Sequence, residues 1–546
     1  MDSAEGQGYV VPGHSLSSLS TLHSSLSSTN PHLYPHKKTA LSGNVIKIPM
    51  TGKRLEPKDV PVFFFCTNVK KGLTNEGTCA AAFAADQKEV AKAALESRCM
   101  PDFKGGTKMR YSAYIKKKLL SLIEQMETQR WLYTRNPGKD FSRVKKWTFG
   151  EMIRFIISME GNALGDELLK YFDYSADTPT NSSFNQRRAQ ILPEAFEYLF
   201  HEFTGIAVEE KLYHGYRLLA CDGSDLSIAH NPQDETTYFQ STPDSKGFNQ
   251  VHLNALYDLQ TRSYVDAIIQ PARQENENKA LCTMIDRYHG DAKALFIADR
   301  GYQSYNIFAH VQEKGMYYLI RAKDILKQGI VSAAKGQLPS RESFDATVNI
   351  TLTNKQTKEI LANPVRYRIV MSNQHFDFLS KEQRFYEMCF RIVRFPLSDG
   401  SFECIITNLP NEDFSTDEIK ELYHMRWGIE TSFRELKYAV GLTSFHAKKL
   451  DYIKQEIWAR LILYNFCEVI SARAALKKHR YKTKHTYQLN YTRAIHICRF
   501  FLSLREKAPP DVESLISREL LPVRPGRSDP RKVKFQSAVS FLYRVA

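Results

Sequence analysis

Three carboxylates stand where a sequence can place acids for chemistry. Asp222 closes the apolar stretch Leu218-Leu219-Ala220-Cys221 just before Gly223-Ser224, and Asp299 closes Ala294-Leu295-Phe296-Ile297-Ala298 just before Arg300-Gly301-Tyr302. Carboxylates at the carboxyl ends of sheet strands face the crevice where α/β proteins bind their ligands. The third, Glu430, lies in a long helical run with Tyr423, Arg426 and Lys437. At roughly 100° per residue these four share a stripe about 60° wide. An aromatic ring, a guanidinium, a carboxylate and an amine make a poor core stripe but a good wall for a phosphate. The chemistry such a set suits is phosphodiester cleavage, in which two Mg²⁺ ions about 3.5–4 Å apart activate the attacking oxygen and neutralise the leaving one. Mg²⁺ takes oxygen ligands, so a few carboxylates suffice. Asp222 is expected to bridge both ions, with Asp299 and Glu430 each holding one. Taken singly, the residues leave a plainer reading open: Asp-Gly and Asp-Arg-Gly are ordinary turn sequences, and Arg426–Glu430 has the spacing of an i,i+4 pair on a solvated face.

The elements that must position these residues change texture along the chain. Residues 109–205 show apolar residues at helical spacing, in KKKLLSLIEQMETQRWLYTR, WTFGEMIRFIISM, GDELLKYFDY and NSSFNQRRAQILPEAFEYLFHEFTG, so an all-helical segment is expected there. Strand-like runs follow: RLLACDGSDLSIA, NQVHLNALYDL and SYVDAIIQ, the latter two parted by a short turn at Gln260–Arg262. Next come a helix in NENKALCTMIDRYH, a buried strand ending at Asp299, a helix ending at Gly315, and the strand YYLIRAK. That order predicts a mixed sheet covered by helices. From Asp324 to about Glu412 the pattern is β-rich, including a hairpin closed by Leu397-Ser398-Asp399-Gly400. One long helix is expected after it, with Ser415 as N-cap and Glu418 three residues on, the capping-box spacing. Further helices are expected near 451–476 and 488–505.

The spacing Y-x2-R-x3-E-x6-K, filled by Tyr423, Arg426, Glu430 and Lys437, resembles the signature of DDE transposases of the IS-four insertion-sequence family. Cys221-Asp222-Gly223-Ser224 and Ala298-Asp299-Arg300-Gly301-Tyr302 resemble that family's two Asp motifs, and the β-rich segment between the second Asp and the Glu matches its inserted domain. The resemblance covers residues 109–546. It implies a ribonuclease H-like catalytic core and a need for Mg²⁺, with Mn²⁺ as substitute. It also implies binding to double-stranded DNA at terminal inverted repeats, a homodimer in the synaptic complex, and cut-and-paste transposition through a hairpin intermediate. A flipped base must then stack, and Trp427 is the candidate, a core role being equally open to it. Arg300 joins Tyr423, Arg426, Trp427 and Lys437 as a candidate DNA contact. The alternative is a retired transposase that binds DNA without cutting, although all three carboxylates are present.

This divides the chain into 1–108, a poorly ordered extension outside the resemblance; 109–205, a helical DNA-binding domain; 206–324 and 413–476, the two parts of the catalytic core; 325–412, the β-rich insertion; and 477–546, a helical and basic tail. The first 58 residues are rich in Ser, Pro and His, a composition that does not favour a packed core. Lesser candidates are Arg187 and Arg188 for phosphate, His252 as a satisfied core residue, and a basic tail run of Arg524, Arg527, Arg531, Lys532 and Lys534. A net charge of +15 over 546 residues favours a polyanionic partner. The nine cysteines are scattered and include no CxxC pair, which points to reduced thiols in a cytosolic protein rather than a disulfide scaffold or zinc site; association with the bacterial nucleoid is what the transposase resemblance implies. No secretory signal is expected, and no apolar stretch reaches the ~18 residues a membrane span needs.

Overall fold

A computed structural model describes residues 110–522 apart from 144, 241, 372, 479–486 and 506–509. The expectations for residues 1–108, and for the basic tail run beyond Pro522, lie outside the described residues. Helical periodicity in the first segment becomes α1 (Tyr111–Thr128), α2 (Phe149–Ser158), α3 (Leu164–Tyr171), α4 (Asn181–Arg188) and α5 (Glu194–Ala207). The continuous helix read through 181–205 is two helices. Pro193 disfavours helical backbone at the residue before it, and Ile191 instead bridges to Thr134 in the gap.

Strands β1 (Tyr216–Ile228), β3 (Phe248–Asp258) and β4 (Ser263–Pro271) pair antiparallel, with the short β2 (Tyr238–Phe239) on the start of β3. The turn between β3 and β4 closes on Asp258, whose Oδ1 accepts from the N–H groups of Gln260 at 2.9 Å and Thr261 at 3.0 Å. Strands β5 (Lys293–Ala298) and β6 (Tyr317–Ala322) then run parallel to β1. The crossovers carry α6 (Glu277–Asp286) and α7 (Tyr305–Glu313). The resulting order β4-β3-β1-β5-β6 is the expected mixed sheet, antiparallel among β4, β3 and β1 and parallel from β1 to β6.

The inserted strands β7 (Phe344–Thr353), β8 (Tyr367–Ile369), β9 (Phe385–Pro396) and β10 (Phe402–Thr407) do not form a sheet of their own. β10 pairs antiparallel with β6, from Thr407↔Leu319 to Cys404↔Ala322, and β9, β7 and β8 continue from it to make ten strands in one sheet. An uncovered β6 would present a row of unpaired backbone groups, and the insertion supplies their partners.

After the insertion come α8 (Thr416–Met425), α9 (Trp427–Tyr438), α10 (Leu450–Lys478), α11 (Tyr491–Ser503) and α12 (Val512–Arg518), with a small ladder of β11 (Tyr487–Leu489) and β12 (Leu520–Pro522). One apolar core joins α1–α5, a face of β1, β3 and β4, and the middle of α10, so the helical segment shares its interior with the sheet. A second core lies on the opposite face under α6 and α7 and runs on beneath the inserted strands, and a third fills the space between β5, β6 and α8. Arg188 belongs to the first interior. It is 1 % exposed and pairs with Glu456 at 2.9 Å and Gln455 at 2.8 Å, which removes it as a phosphate contact. Arg187 donates to Gln190 at 3.0 Å.

Candidate active site

β1 and β5 stay in parallel register only as far as Cys221↔Ala298. There β5 ends, while β1 continues beside β3 from Asp222↔Ala255 to Ile228↔Asn249. The two strands therefore part directly beyond residues 221 and 298, and Asp222 and Asp299 stand on either side of the opening. Asp222 was expected at a strand end and is in mid-strand. Ser224–Ile228 alternates well enough to keep pairing with β3, so the strand end that matters belongs to β5. One backbone N–H steadies each carboxylate, Gly223 to Asp222 Oδ1 at 2.9 Å and Gly301 to Asp299 Oδ1 at 2.8 Å.

Glu430 arrives from the helical side. The capping box on Ser415 and Glu418 starts α8 as expected, but the long helix divides at Arg426. The Arg426 N–H bonds to the Tyr423 carbonyl and the Ile429 N–H to the Arg426 carbonyl, three-residue steps that tighten the turn. Arg426 is turned inward by this, at 7 % exposure. Its guanidinium donates to Glu430 Oε1 at 2.7 Å and lies 3.9 Å from Asp222 Oδ2, so one cation joins the helical carboxylate to the strand carboxylate. Tyr423 is also buried, its ring 5.6 Å from the Arg426 guanidinium. Lys437 Nζ donates to the Asp225 carbonyl at 2.9 Å and pins the far end of α9 to β1. Trp427 faces outward at 55 % exposure and is not a core residue. Arg300 is exposed and lines, with Lys279, Lys323 and Arg368, a groove of about 900 Å³ that begins at the Asp299 turn.

Asp222 senses its acidic neighbours. Burial, joined by the negative charges of Asp299 and Glu430, pushes Asp222 up to about 6, against the pull of the Gly223 N–H and Arg426. All three offer oxygen donors, the set a hard divalent cation takes. Among the described residues the His/Cys/Asp/Glu group whose ligand atoms all fall within 4.8 Å is a neighbouring one, Asp225, His252 and Glu275. Asp222, Asp299 and Glu430 stand further apart, with Arg426 between two of them.

His252 is buried, but it is more than a satisfied core residue. Its Nδ1 lies 2.7 Å from Asp225 and 3.1 Å from Glu275, and its Nε2 3.2 Å from Glu277. Burial opposes a charged ring, yet Asp225 and Glu277 outweigh it and raise His252 to about 9. Reading the sequence missed Asp225, Glu275 and Glu277. The available signal was a pair of acids opening a helix straight after a strand, in Gln274-Glu275-Asn276-Glu277.

A family model described as the transposase DDE domain matches residues 213–466. That segment belongs to the transposase DDE family. The match runs from the residues before β1 into α10, and so takes in Asp222, Asp299, Glu430 and the inserted strands between them. The transposase for insertion sequence element IS421 of Escherichia coli is 33% identical over 58 residues, 11% of this chain and 16% of the relative. InsL of insertion sequence element IS186A, from Escherichia coli strain K12, is similar at the same level and over the same shares. The matched stretch therefore spans about a sixth of these relatives' length. The piggyBac transposase synaptic complex with hairpin DNA is similar at a TM-score of 0.37 and 10% identity, covering 76% of this chain and 84% of that one. No described helix is long and apolar enough to cross a membrane.

Proposed function

We propose that this chain is a cut-and-paste DNA transposase that cleaves and rejoins phosphodiester bonds at the terminal inverted repeats of an insertion sequence. The observation that carries the reading is the parting of β1 and β5 between Asp222 and Asp299, with Glu430 tied to Asp222 through Arg426. Asp222, Asp299 and Glu430 would hold Mg²⁺, or Mn²⁺ in its place. Bound there, the ions would supply charge stabilisation at the reacting phosphate and a more acidic attacking water or 3′-OH.

The chain's own residues do the rest. The two backbone N–H groups hold Asp222 and Asp299 at the opening. Arg426, Lys437 and Tyr423, on the wall formed by α8 and α9, face the scissile phosphate once DNA draws Arg426 away from the carboxylates. Arg300 and the basic groove beside it carry backbone phosphates, and the outward ring of Trp427 stacks the base extruded as a hairpin forms. The 109–205 helices add DNA contacts, a homodimer brings two ends together, and the protein works at the bacterial nucleoid.

The test is incubation of purified protein with Mg²⁺ and DNA carrying the element's own ends. Hairpins or double-strand breaks at those ends are expected. Losing metal-borne charge stabilisation of several kcal/mol corresponds to about 10³-fold or more in rate, so Asp222→Asn, Asp299→Asn and Glu430→Gln should each reduce cutting at least that far. Cutting that survives Asp222→Asn would remove Asp222 from its role. Specific binding without cutting in either Mg²⁺ or Mn²⁺ would favour the retired, DNA-binding alternative.

A further inference from the structure

We infer that Glu277 is a fourth carboxylate of the cation site, reaching it through the space that Gly223 leaves and held there by His252. This deepens the reading above and rests on it. Glu277 is the first residue of α6, a helix fixed at its start by Asn276, whose side chain accepts from the Lys279 N–H at 2.9 Å. A Cβ on Gly223 would sit 2.3 Å from Glu277 Oε1 and 2.3 Å from His252 Nε2. Any side chain at 223 would therefore force Glu277 or His252 to shift. In the turn after β5, a Cβ on Gly301 would lie 3.6 Å from Glu277 Oε2 and 3.1 Å from Asp299 Oδ1, so these two oxygens are at most 6.7 Å apart, the sum of the two distances.

A similar bound holds toward Asp222. The Gly223 N–H donates to Asp222 Oδ1 at 2.9 Å, and that nitrogen lies about 2.5 Å from its own residue's Cβ position. Glu277 Oε1 is therefore within about 8 Å of Asp222 Oδ1. Two Mg²⁺ ions about 3.5–4 Å apart, each with oxygen ligands at about 2.1 Å, connect oxygens up to about 8 Å apart. Glu277 lies inside that reach.

Two buried polar atoms point the same way. His252 is 5 % exposed, its Nδ1 is occupied by Asp225 and Glu275, and its Nε2 lies 3.2 Å from Glu277 Oε1, an ion-pair contact without the alignment of a hydrogen bond. The Tyr302 hydroxyl, on a residue 1 % exposed, is likewise without a hydrogen bond. Tyr302 follows Gly301 in the turn that Asp299 opens.

Titration of full-length protein with Mn²⁺ alone, followed by the loss of the free-ion electron paramagnetic resonance signal, tests the inference without any cleavage assay. Glu277→Gln and Glu277→Asp, which differ in charge and in reach, should each weaken Mn²⁺ binding about 10-fold or more, the scale at which support around a metal site acts. Asp222→Asn should weaken it at least as much. Unchanged binding in both Glu277 variants, with Asp222→Asn weakened, overturns the role of Glu277 and leaves the parent reading standing. Unchanged binding in Asp222→Asn overturns the cation reading itself, and Glu277's place falls with it.

Discussion

In chelator, Asp222→Asn should make the protein more stable at pH 8, by about half as much at pH 5, and leave it nearly unchanged at pH 3. Burial and the neighbouring carboxylates raise Asp222 from 3.8 to about 6. A carboxyl raised on folding contributes stability that is full below its unfolded value and lost as pH rises through about 6. At pH 8 the native chain therefore bears the cost of holding that charge. A shift of about two units, at about 1.36 kcal/mol each, sets an upper limit near 3 kcal/mol. The side chain keeps 22 % exposure, and Asn loses its attraction to Arg426, so a gain of about 1–3 kcal/mol is expected. Asn can still accept from the Gly223 N–H, which keeps the comparison clean. Urea denaturation in EDTA reads the difference. An equal gain at pH 5 and pH 8, or none at pH 8, would refute the electrostatic argument. Adding Mn²⁺ at 1,000 times its Kd should reverse the order, because it stabilises the binding-competent chain by about 4.1 kcal/mol.

Trp427→Ala should lower hairpin formation about 10- to 100-fold, the worth of a stacked base, with stability unchanged within about 0.5 kcal/mol; a matching loss in urea midpoint would place the ring in packing instead. Arg188→Met leaves Glu456 buried without its guanidinium and should cost about 3–5 kcal/mol by urea denaturation; a cost under 1 kcal/mol would show that the pair does not hold α4 to α10. Gly223→Ala should destabilise by about 1–3 kcal/mol, because the added methyl meets Glu277 and His252 at 2.3 Å; a melting temperature equal to that of the unsubstituted chain would show that the two side chains yield freely.

Much of the catalytic sheet was legible because its strands are buried on both faces and bounded by turn residues. Leu218–Cys221 and Ala294–Ala298 read as strands on composition alone, and the acids that follow each could be singled out from one sequence. What stayed hidden depends on neighbours in space. Gly223-Ser224 reads as a turn, and only the register with β3 shows that β1 runs on to Ile228. Helical spacing placed Tyr423, Arg426 and Glu430 on one face but could not reveal the tightened turn at Arg426, which depends on backbone bonds rather than side-chain pattern. Arg188 looked like a surface cation because its partners Gln455 and Glu456 lie far along the chain. Glu277 was passed over because its significance lies in two glycines, at 223 and 301, whose missing side chains open the path to it.

The ladder from β6 into β10 has a mechanical corollary. Four consecutive residue pairs, Leu319–Ala322 with Cys404–Thr407, stitch the inserted segment to the strand beside β5. Hinging the insertion as a flap would tear that seam and strand its buried amides. Under the proposed function, a duplex entering the cleft would instead be accommodated by sliding helices and yielding turns, above all the tight bend at Arg426, with the large β platform as the fixed anvil.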